Sequence, residues 1–529
     1  GDKFKKFLEV NYPITGYQLR IPAVKGFFPV VDFHLYFKMH NIEYITDMWG
    51  QEHKVSEIDI LTTESTFKAK LNVIGVKDDG SEKKEWMFKS IDEYKELLIK
   101  YGYDVIGISN FAKPVEEEFR RATYQLWLAL DVRKLDMLAL GNIQGDMIHK
   151  ALSIYRKDEI EWEDIKYIEA FLNLIQKENA ESNLAKQCAD AIHALRLNKK
   201  MVFDRKVIQT IKDVINKKID DMCMGRFYVK GKYLYVTQDI LAFLRYAGAE
   251  NRGLWEYSGF LGKRQFYCGG KIMGRNLLAR NPIMSYSEIT KADFVDYTGE
   301  DSEFIKHMDN IVQMPLGTEP DRLSGNDKDG DEVLVLSTDI NFKETHIEFM
   351  QHYNFIVSKE DSDNYGKNLL EVINEKLQLH FNNRFTDKDV VTIEDFIVPS
   401  LVQVNDEDKA TAPSKEWNKE SVIQFILDSE DRTGVITDIN TAIENVANNE
   451  ENLPKYALPI AIMKDLQGKM IDASKSGLFD QVVIPKVIKL KYRKKPQFMY
   501  FMEMNLIKIT RQCQHWIFSR QECRNLKSM

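Results

Sequence analysis

The clearest chemical signal in the chain is a short acidic loop. Three aspartates occupy alternate positions in it, Asp327, Asp329 and Asp331, with Gly330 between the last two. Carboxylates this close repel one another unless a cation neutralises them. Alternation points them toward a common side, and hard oxygen ligands suit Mg²⁺. The loop therefore predicts a magnesium site of the kind that clamps the attacking and leaving oxygens in phosphoryl transfer.

Two other interpretations of the loop have to be weighed. In a calcium-binding EF-hand with Gly330 at the sixth position, the first and twelfth positions would fall on Gly325 and Leu336. Neither supplies the required carboxylate, which argues against a calcium loop. A solvated acidic turn between strands is the usual meaning of neighbouring Asp and Gly residues. The loop alone does not separate this turn from a magnesium site, so the rest of the chain has to decide.

Composition limits the class of protein. The chain has 529 residues, 44% of them hydrophobic and 29% charged, which is ordinary for a soluble globular protein of about two to four domains. No apolar run reaches transmembrane length and no signal-peptide pattern is present. Five scattered cysteines without a Cys-x-x-Cys pair indicate a reducing compartment and argue against a zinc site. The net charge of −8 requires that any nucleic-acid surface be local. Because residue 1 is Gly rather than Met, we expect a trimmed or partial product.

The hydrophobic pattern predicts the elements that position the loop. Short strand-like runs dominate residues 1–92 and 226–345, and helical periodicity dominates 93–225 and 346–529. The predicted strands are Tyr17–Ile21, Gly26–Val31, Ile58–Thr62, Ala69–Ile74, Glu85–Phe88, Arg226–Val229, Tyr233–Val236, Asn310–Met314 and Val333–Ser337, and the predicted helices are Glu116–Leu138, Trp162–Gln176 and Asn183–Leu197. Two β-rich regions separated by helices are therefore expected.

Several segments carry a resemblance to a known family. Leu278–Met284 (LARNPIM), Val312–Pro315 (VQMP) and Ser324–Asp331 (SGNDKDGD) resemble the active-site barrel of two-barrel RNA polymerases. That superfamily includes the cellular RNA-dependent RNA polymerases of RNA silencing and the YonO-like single-subunit RNA polymerases of phages. Tyr17–Gly26 resembles the family's strand that ends in Lys-Gly, and Thr63–Lys68 resembles its second lysine element.

The resemblance continues downstream with some departures. Thr433–Asp438 and Ile471–Gly477 resemble the paired elements that follow the barrel, so the resemblance covers most of residues 12–500. Lys328 stands where the silencing polymerases have an apolar residue, and their long flanking regions are missing. The compact length and the run Gly270–Arg275 (GKIMGR) favour the phage type. We identify no counterpart in the family for the tail after about residue 500, which stays unassigned.

The resemblance implies an architecture. The expected fold is α+β, with two double-psi β-barrels that form the active-site cleft, a helical insertion and a helical C-terminal region. Residues 1–92 would form the first barrel, which carries the lysines, and 93–225 a helical connector. Residues 226–345 would form the second barrel with the acidic loop, and 346–529 a mainly helical region whose tail is unassigned.

The resemblance also implies roles for individual residues. Asp327, Asp329 and Asp331 would hold Mg²⁺, with Mn²⁺ as a substitute, in two-metal catalysis. Lys25 and Lys68 would hold the triphosphate and stabilise the leaving pyrophosphate. From the residues alone, a solvated surface charge is the common fate of a lysine, although Lys25 lies between apolar neighbours.

Three further residues are implied to bind substrate. Arg280 and Asn281 would contact the sugar or phosphates of the incoming nucleotide, and Lys475 the template or product backbone. The Asn-Pro pair is equally explained as a turn that ends a strand. The most basic stretch, Lys486–Lys495, is a candidate track for a nucleic-acid backbone, with a solvated strand face as its alternative.

The expected protein is a phage-encoded, single-subunit, DNA-dependent RNA polymerase in the cytoplasm of a bacterial host. Its partners would be a DNA template, the RNA product and nucleoside triphosphates, without a membrane. The alternatives are an RNA-dependent RNA polymerase of the silencing type and an inactive nucleic-acid-binding protein on a polymerase fold. A Mg²⁺-dependent phosphohydrolase would not need Lys25, Lys68 and a second β-rich region. The intact acidic triad argues against an inactive protein, because unpaired carboxylates are a liability without a metal.

Overall fold

The computed structural model describes only part of the chain. The described residues are 14–67, 71–76, 82–113, 115, 119–131, 134–178, 180–249, 259–262, 265–283, 288–315, 323, 326, 328–337, 348–349, 433–445, 460, 463–464, 466–468 and 470–471. Within them, no helix is long and apolar enough to cross a membrane. Contacts divide the chain into two units, Gly1–Glu118 with Gly231–Asn281 and Glu288–Thr338, and Phe119–Lys230 with Pro282–Ser287 and Asp339–Met529. The four predicted domains stay a prediction.

The described residues combine strands and helices, which makes the fold mixed. The strands are β1 Gly16–Ile21, β2 Val24–Pro29, β3 Tyr44–Thr46, β4 Glu52–Lys54, β5 Leu71–Val76, β6 Glu82–Trp86, β7 Gly107–Phe111, β8 Phe119–Arg121, β9 Leu130–Asp131, β10 Tyr228–Gln238, β11 Gln265–Phe266, β12 Gly274–Ala279, β13 Thr290–Phe294, β14 Ile311–Met314, β15 Glu332–Ser337 and β16 Glu348–Phe349. The helices are α1 Phe33–Met39, α2 Ile91–Lys100, α3 Tyr124–Leu128, α4 Lys134–Ser153, α5 Trp162–Glu178, α6 Asn183–Leu197, α7 Arg205–Cys223 and α8 Ile240–Ala247, and residues 433–445 are also helical.

Two sheets of the first unit carry the residues of interest. The smaller sheet has the strand order β2-β1-β7 and is antiparallel. The larger sheet has the order β11-β13-β12-β15-β10-β14 in this unit, with β10 parallel to β14 and β11 parallel to β13. Because β15 lies between β12 and β10, the acidic loop that precedes it is attached to the middle of this sheet.

The core of the larger sheet explains why β15 is held so firmly. Val333 and Val335 of β15 pack with Leu278 of β12 and with Leu234 and Val236 of β10 in one buried cluster. Burial of a Val or Leu side chain stabilises the fold by about 1.5–3 kcal/mol. The apolar run that predicted strand Val333–Ser337 is therefore confirmed as a central strand. The acidic loop ends at this strand and is anchored by it.

Some predicted elements coincide with the structure. The predicted helices Trp162–Gln176 and Asn183–Leu197 match α5 and α6, and Ser182 caps α6 by accepting a hydrogen bond from Ala185 N at 3.1 Å. Arg226–Val229 and Tyr233–Val236 are parts of a single strand, β10. Gly231 lies within that strand, where a residue with a Cβ would not fit because the Cβ would lie 2.6 Å from the carbonyl oxygen of Val335.

Two element predictions are wrong. Ile58–Thr62 forms no strand, and Ile60 remains exposed. Glu116–Leu138 is not one helix, because Phe119–Arg121 is strand β8 and α3 ends at Leu128. β8 pairs with Tyr228–Lys230 of β10, and this distant partner outweighs the local helical period. Strand β7 was not predicted and pairs with β1, although it lies in the stretch expected to be a helical connector.

The second unit contains a buried ionic network. Lys218 of α7 is 1% exposed and donates hydrogen bonds to Glu178 Oε1 at 2.6 Å and to the Tyr228 hydroxyl at 2.9 Å. Burial lowers the pKa of Lys218, and the attraction of Glu178 opposes that effect. A buried charge that loses its partner is costly, whereas an exposed pair contributes little.

We expect the Glu178→Gln substitution to lower the free energy of unfolding by about 2 kcal/mol, because it removes the carboxylate to which the buried Lys218 ammonium is hydrogen-bonded. The matched control is Glu169→Gln, which breaks the more exposed pair with Arg196 and is expected to cost less than about 0.5 kcal/mol. Urea denaturation of both variants measures the difference. Equal losses of stability in the two variants would contradict the expectation that burial makes the Glu178–Lys218 pair the more costly one to break.

Candidate active site

The described part of the acidic loop is a tight turn rather than an extended segment. Lys328 has φ +58° and Gly330 has φ +128°, one on each side of Asp329. The backbone N–H of Lys328 donates to Asn326 Oδ1 at 2.9 Å, which stabilises the unusual conformation. Left-handed backbone is uncommon for a residue with a Cβ, so the loop stores strain of the kind found at functional sites. The simple alternation assumed for the aspartates is therefore interrupted on both sides of Asp329.

Asp329 forms an ion pair with Lys25. The lysine lies on β2, opposite Arg20 of β1, and its Nζ contacts Asp329 Oδ2. The Asp329 side chain is 12% exposed and the Lys25 side chain 41% exposed. The structure thus brings together two predicted site residues that are about 300 positions apart. Their catalytic roles stay predictions.

Asp331 forms a second ion pair, with Arg280. Arg280 follows β12 directly and Asp331 precedes β15, its antiparallel neighbour. Arg280 Nη2 lies 2.7 Å from Asp331 Oδ1, and both side chains are partly buried. The pairing of β12 with β15 therefore delivers the guanidinium to the loop. Sequence reasoning assigned Arg280 to the nucleotide, and in this structure it holds an aspartate.

Asn281 contacts a residue that sequence reasoning did not select. Its Nδ2 donates to the hydroxyl of Tyr233 on β10 at 2.8 Å. Other predicted residues lie outside the described residues, namely Asp327, Lys68, Lys475 and the basic stretch Lys486–Lys495. The structure therefore brings together Lys25, Asp329, Asp331 and Arg280 and leaves those others as predictions.

The described donors fit a magnesium ion. Asp329 and Asp331 supply anionic hard oxygens, are separated by one residue and are partly buried. Among the described residues no group of three or more His, Cys, Asp and Glu side chains could hold a metal, and Asp327 is not one of those residues. Lys25 and Arg280 each pair with one of the two carboxylates, and these cations offset the repulsion between them.

A cavity of about 1020 Å³ adjoins the loop. Lys25, Lys328 and Asp329 line it, together with hydroxyl side chains of Thr62–Thr66 and apolar residues of β1, β2 and α8. Ligand pockets usually have volumes of about 300–1,000 Å³, so the cavity is large enough for a nucleotide. Sequence reasoning noted Lys328 only as a departure from the family pattern, and nothing in the local pattern signalled that it lines a cavity.

The chain is similar to a known protein family. The family model described as "RNA dependent RNA polymerase" matches residues 3–516. Among solved structures, the chain is similar to "RNA dependent RNA polymerase QDE-1 from Thielavia terrestris", with a TM-score of 0.46 and 12% sequence identity. That match covers 94% of this chain and 46% of the other, so the chain spans less than half the length of that polymerase. No curated protein matches the chain.

Proposed function

The chain belongs to the RNA-dependent RNA polymerase family, since the family model covers almost all of it, and from this premise we propose that it synthesises RNA on an RNA template. The substrates would be nucleoside triphosphates and the by-product pyrophosphate. The contact between Lys25 of β2 and Asp329 of the acidic loop supports the type of reaction, and the family match supports the RNA template. Two double-psi β-barrels, built on the two sheets that carry these residues, are part of the proposal.

The expectation of a phage-encoded, DNA-dependent polymerase is wrong, because the matching family is the RNA-dependent one. The relation to YonO-like polymerases, and the DNA-binding and transcription roles that came with it, have no support. The acidic loop and the lysines cannot distinguish the templates, because attack of a 3′-hydroxyl on a phosphorus atom makes the same demands on either. A cytoplasmic, single-subunit protein stays a prediction.

The residues of the site divide the work of phosphoryl transfer. Asp329 and Asp331, with Asp327, would hold Mg²⁺, which supplies charge neutralisation and lowers the pKa of the attacking 3′-hydroxyl. Arg280 orients Asp331 through their ion pair. Lys25 lines the cavity and contacts Asp329, a position from which its ammonium can stabilise charge on the leaving pyrophosphate.

Incorporation of labelled ribonucleotides tests the proposal. Single-stranded RNA and single-stranded DNA of the same sequence are offered as templates with Mg²⁺, and an Asp329→Asn variant serves as the control. Template-dependent products on RNA that disappear in the variant would support the proposal. Products on DNA alone, or no products from folded protein, would overturn it, and the latter would favour an inactive nucleic-acid-binding protein.

Lys328 provides a prediction that is specific to this chain. We expect Lys328→Met to raise the KM for nucleoside triphosphates by about fivefold. The substitution removes a positive charge from a residue that lines the cavity, and losing its attraction for the phosphates weakens binding by about 1 kcal/mol. The turnover number should change less than about twofold. Lys328→Arg keeps the charge and is expected to retain the KM. Steady-state kinetics on an RNA template measure both, and an unchanged KM in Lys328→Met would contradict the prediction.

A further inference from the structure

A short chain of hydrogen bonds connects the smaller sheet to the acidic loop. Gln18 of β1 donates from Nε2 to the backbone carbonyl of Asp329 at 3.1 Å. Ser109 of β7 lies with Oγ 3.0 Å from Gln18 Oε1 and can donate to it. Neither side chain touches a carboxylate of the loop in these contacts. They act on the backbone of the residue that pairs with Lys25.

The carbonyl oxygen of Asp329 determines how the Gln18 amide is oriented. An amide has one accepting oxygen and one donating nitrogen, and only the nitrogen can bond a carbonyl. Because that carbonyl can only accept, Nε2 faces it and Oε1 faces the Ser109 hydroxyl, which lies 3.0 Å from Oε1 and 3.2 Å from the backbone carbonyl oxygen of Gln18. A flipped amide would place two oxygens against each other at the loop. Ser109 can stabilise this orientation by donating to Oε1.

A β-bulge places Ser109 where it can do this. In the pairing of β1 with β7, Gln18 is opposite Asn110 and Leu19 is opposite Ile108, so Ser109 is the extra residue. An extra residue bends the strand and re-aims a side chain, and such bulges occur often beside active sites. The irregular register is an observation independent of the hydrogen bonds, and both lead to the same pair of residues.

The backbone of the loop at Gly330 also packs closely against the Gln18 side chain. A Cβ on Gly330 would lie 1.8 Å from Gln18 Nε2, so only glycine leaves room for the contact. Gly330 at φ +128° adopts a conformation that residues with a Cβ rarely reach. Gln18 thus contacts the loop beside Asp329 through both a hydrogen bond and close packing.

We propose that Ser109 and Gln18 form a clamp that positions the acidic loop for metal binding, an inference that rests on the proposed function. Gln18 is a positioning residue that acts through the backbone of Asp329, and Ser109 acts through Gln18. Both side chains belong to the sheet β2-β1-β7, which does not include β15, so the clamp restrains the loop from outside the loop's own sheet.

A double-substitution cycle tests the clamp. The variants are Gln18→Met, which keeps the volume and removes the donor, Ser109→Ala, and the two combined. The readouts are the Mg²⁺ concentration for half-maximal RNA synthesis and the Kd of Mn²⁺ alone, measured by electron paramagnetic resonance without nucleotide. A single hydrogen bond contributes about 1 kcal/mol, or about fivefold in a binding constant.

We expect Gln18→Met to raise both metal constants about fivefold and Ser109→Ala about twofold to threefold. The double variant should match Gln18→Met alone, because Ser109 has no effect once Gln18 cannot donate. Ser109→Thr keeps the hydroxyl and should restore the wild-type values. Gln209→Met and Ser153→Ala remove hydrogen bonds on exposed parts of α7 and α4 and serve as controls that should change neither constant.

Unchanged metal constants in Gln18→Met, or effects that multiply in the double variant, would overturn the clamp. Should Gln18→Met fail to fold, the exposed Ser109 still permits the test through Ser109→Ala and its rescue by Ser109→Thr. Failure of the proposed function is distinguishable. In that case the wild-type protein makes no RNA, while the Mn²⁺ constants still report on the clamp.

Discussion

The Asp329→Asn substitution is expected to reduce RNA synthesis by about a thousandfold or more. The amide has the shape of the carboxylate but lacks the anionic oxygen that would bind the metal. It also removes the partner of Lys25, so the lysine no longer meets a charge at the loop. Among the described residues no other carboxylate forms an ion pair with Lys25. We therefore expect that no neighbouring carboxylate can take over the role of Asp329.

The same variant is expected to stay folded. Replacing one of two neighbouring carboxylates relieves their repulsion, and residues that serve chemistry often cost stability. The midpoint of urea denaturation should therefore be unchanged or slightly higher. Asp293→Asn is the matched control, because it breaks an exposed carboxylate–Arg275 pair in the same unit and should retain full activity. Activity within tenfold of wild type in Asp329→Asn would remove Asp329 from the site.

The Gly330→Ala substitution is expected to reduce RNA synthesis by about a hundredfold and to lower the free energy of unfolding by about 2–3 kcal/mol. A residue with a Cβ is strained at φ +128°, and that Cβ would meet Gln18 Nε2. A displacement of Asp329 and Asp331 by about 1 Å is sufficient for such a loss of rate.

Urea denaturation and steady-state kinetics measure the two effects of Gly330→Ala. The control is Gly145→Ala within α4, where an added Cβ would meet nothing within 4 Å and alanine favours the helix. Combining Gly330→Ala with Gln18→Ala separates the causes. Recovery of stability would assign the loss to the contact with Gln18, whereas no recovery would assign it to the backbone. A stable and fully active Gly330→Ala protein would contradict both.

The elements that local pattern predicted correctly share a physical feature. Asn183–Leu197 has a capping serine and apolar residues at helical spacing, so its conformation depends on nearby residues alone. Glu116–Leu138 has a similar helical spacing of apolar residues, yet Phe119–Arg121 forms a strand because it pairs with β10. Strand β7 has mostly exposed side chains and no alternation, so only its pairing with β1 reveals it. Long-range strand pairing is the interaction that a local pattern does not contain.

The template class shows a different limit of sequence motifs. Asp-x-Asp-Gly-Asp and the Lys-Gly strand would serve the chemistry of phosphoryl transfer, which makes the same demands whichever sugar the template contains. The family comparison over residues 3–516 assigns the RNA-dependent family, and the experiment on paired RNA and DNA templates tests the activity. The motifs indicated the polymerase superfamily but not the RNA-dependent family within it.

By itself, the sequence determined the chemistry that this protein offers, because carboxylate, ammonium and guanidinium groups keep their ligand preferences wherever the chain places them. It also determined the resemblance to RNA polymerases, since that depends on short ordered motifs. Only the tertiary structure decided which groups meet. Lys25 pairs with Asp329, Arg280 with Asp331, and Gln18 holds a carbonyl 311 residues away. These contacts exist because two sheets bring distant strand ends together, and the register of those strands is a property of the folded chain.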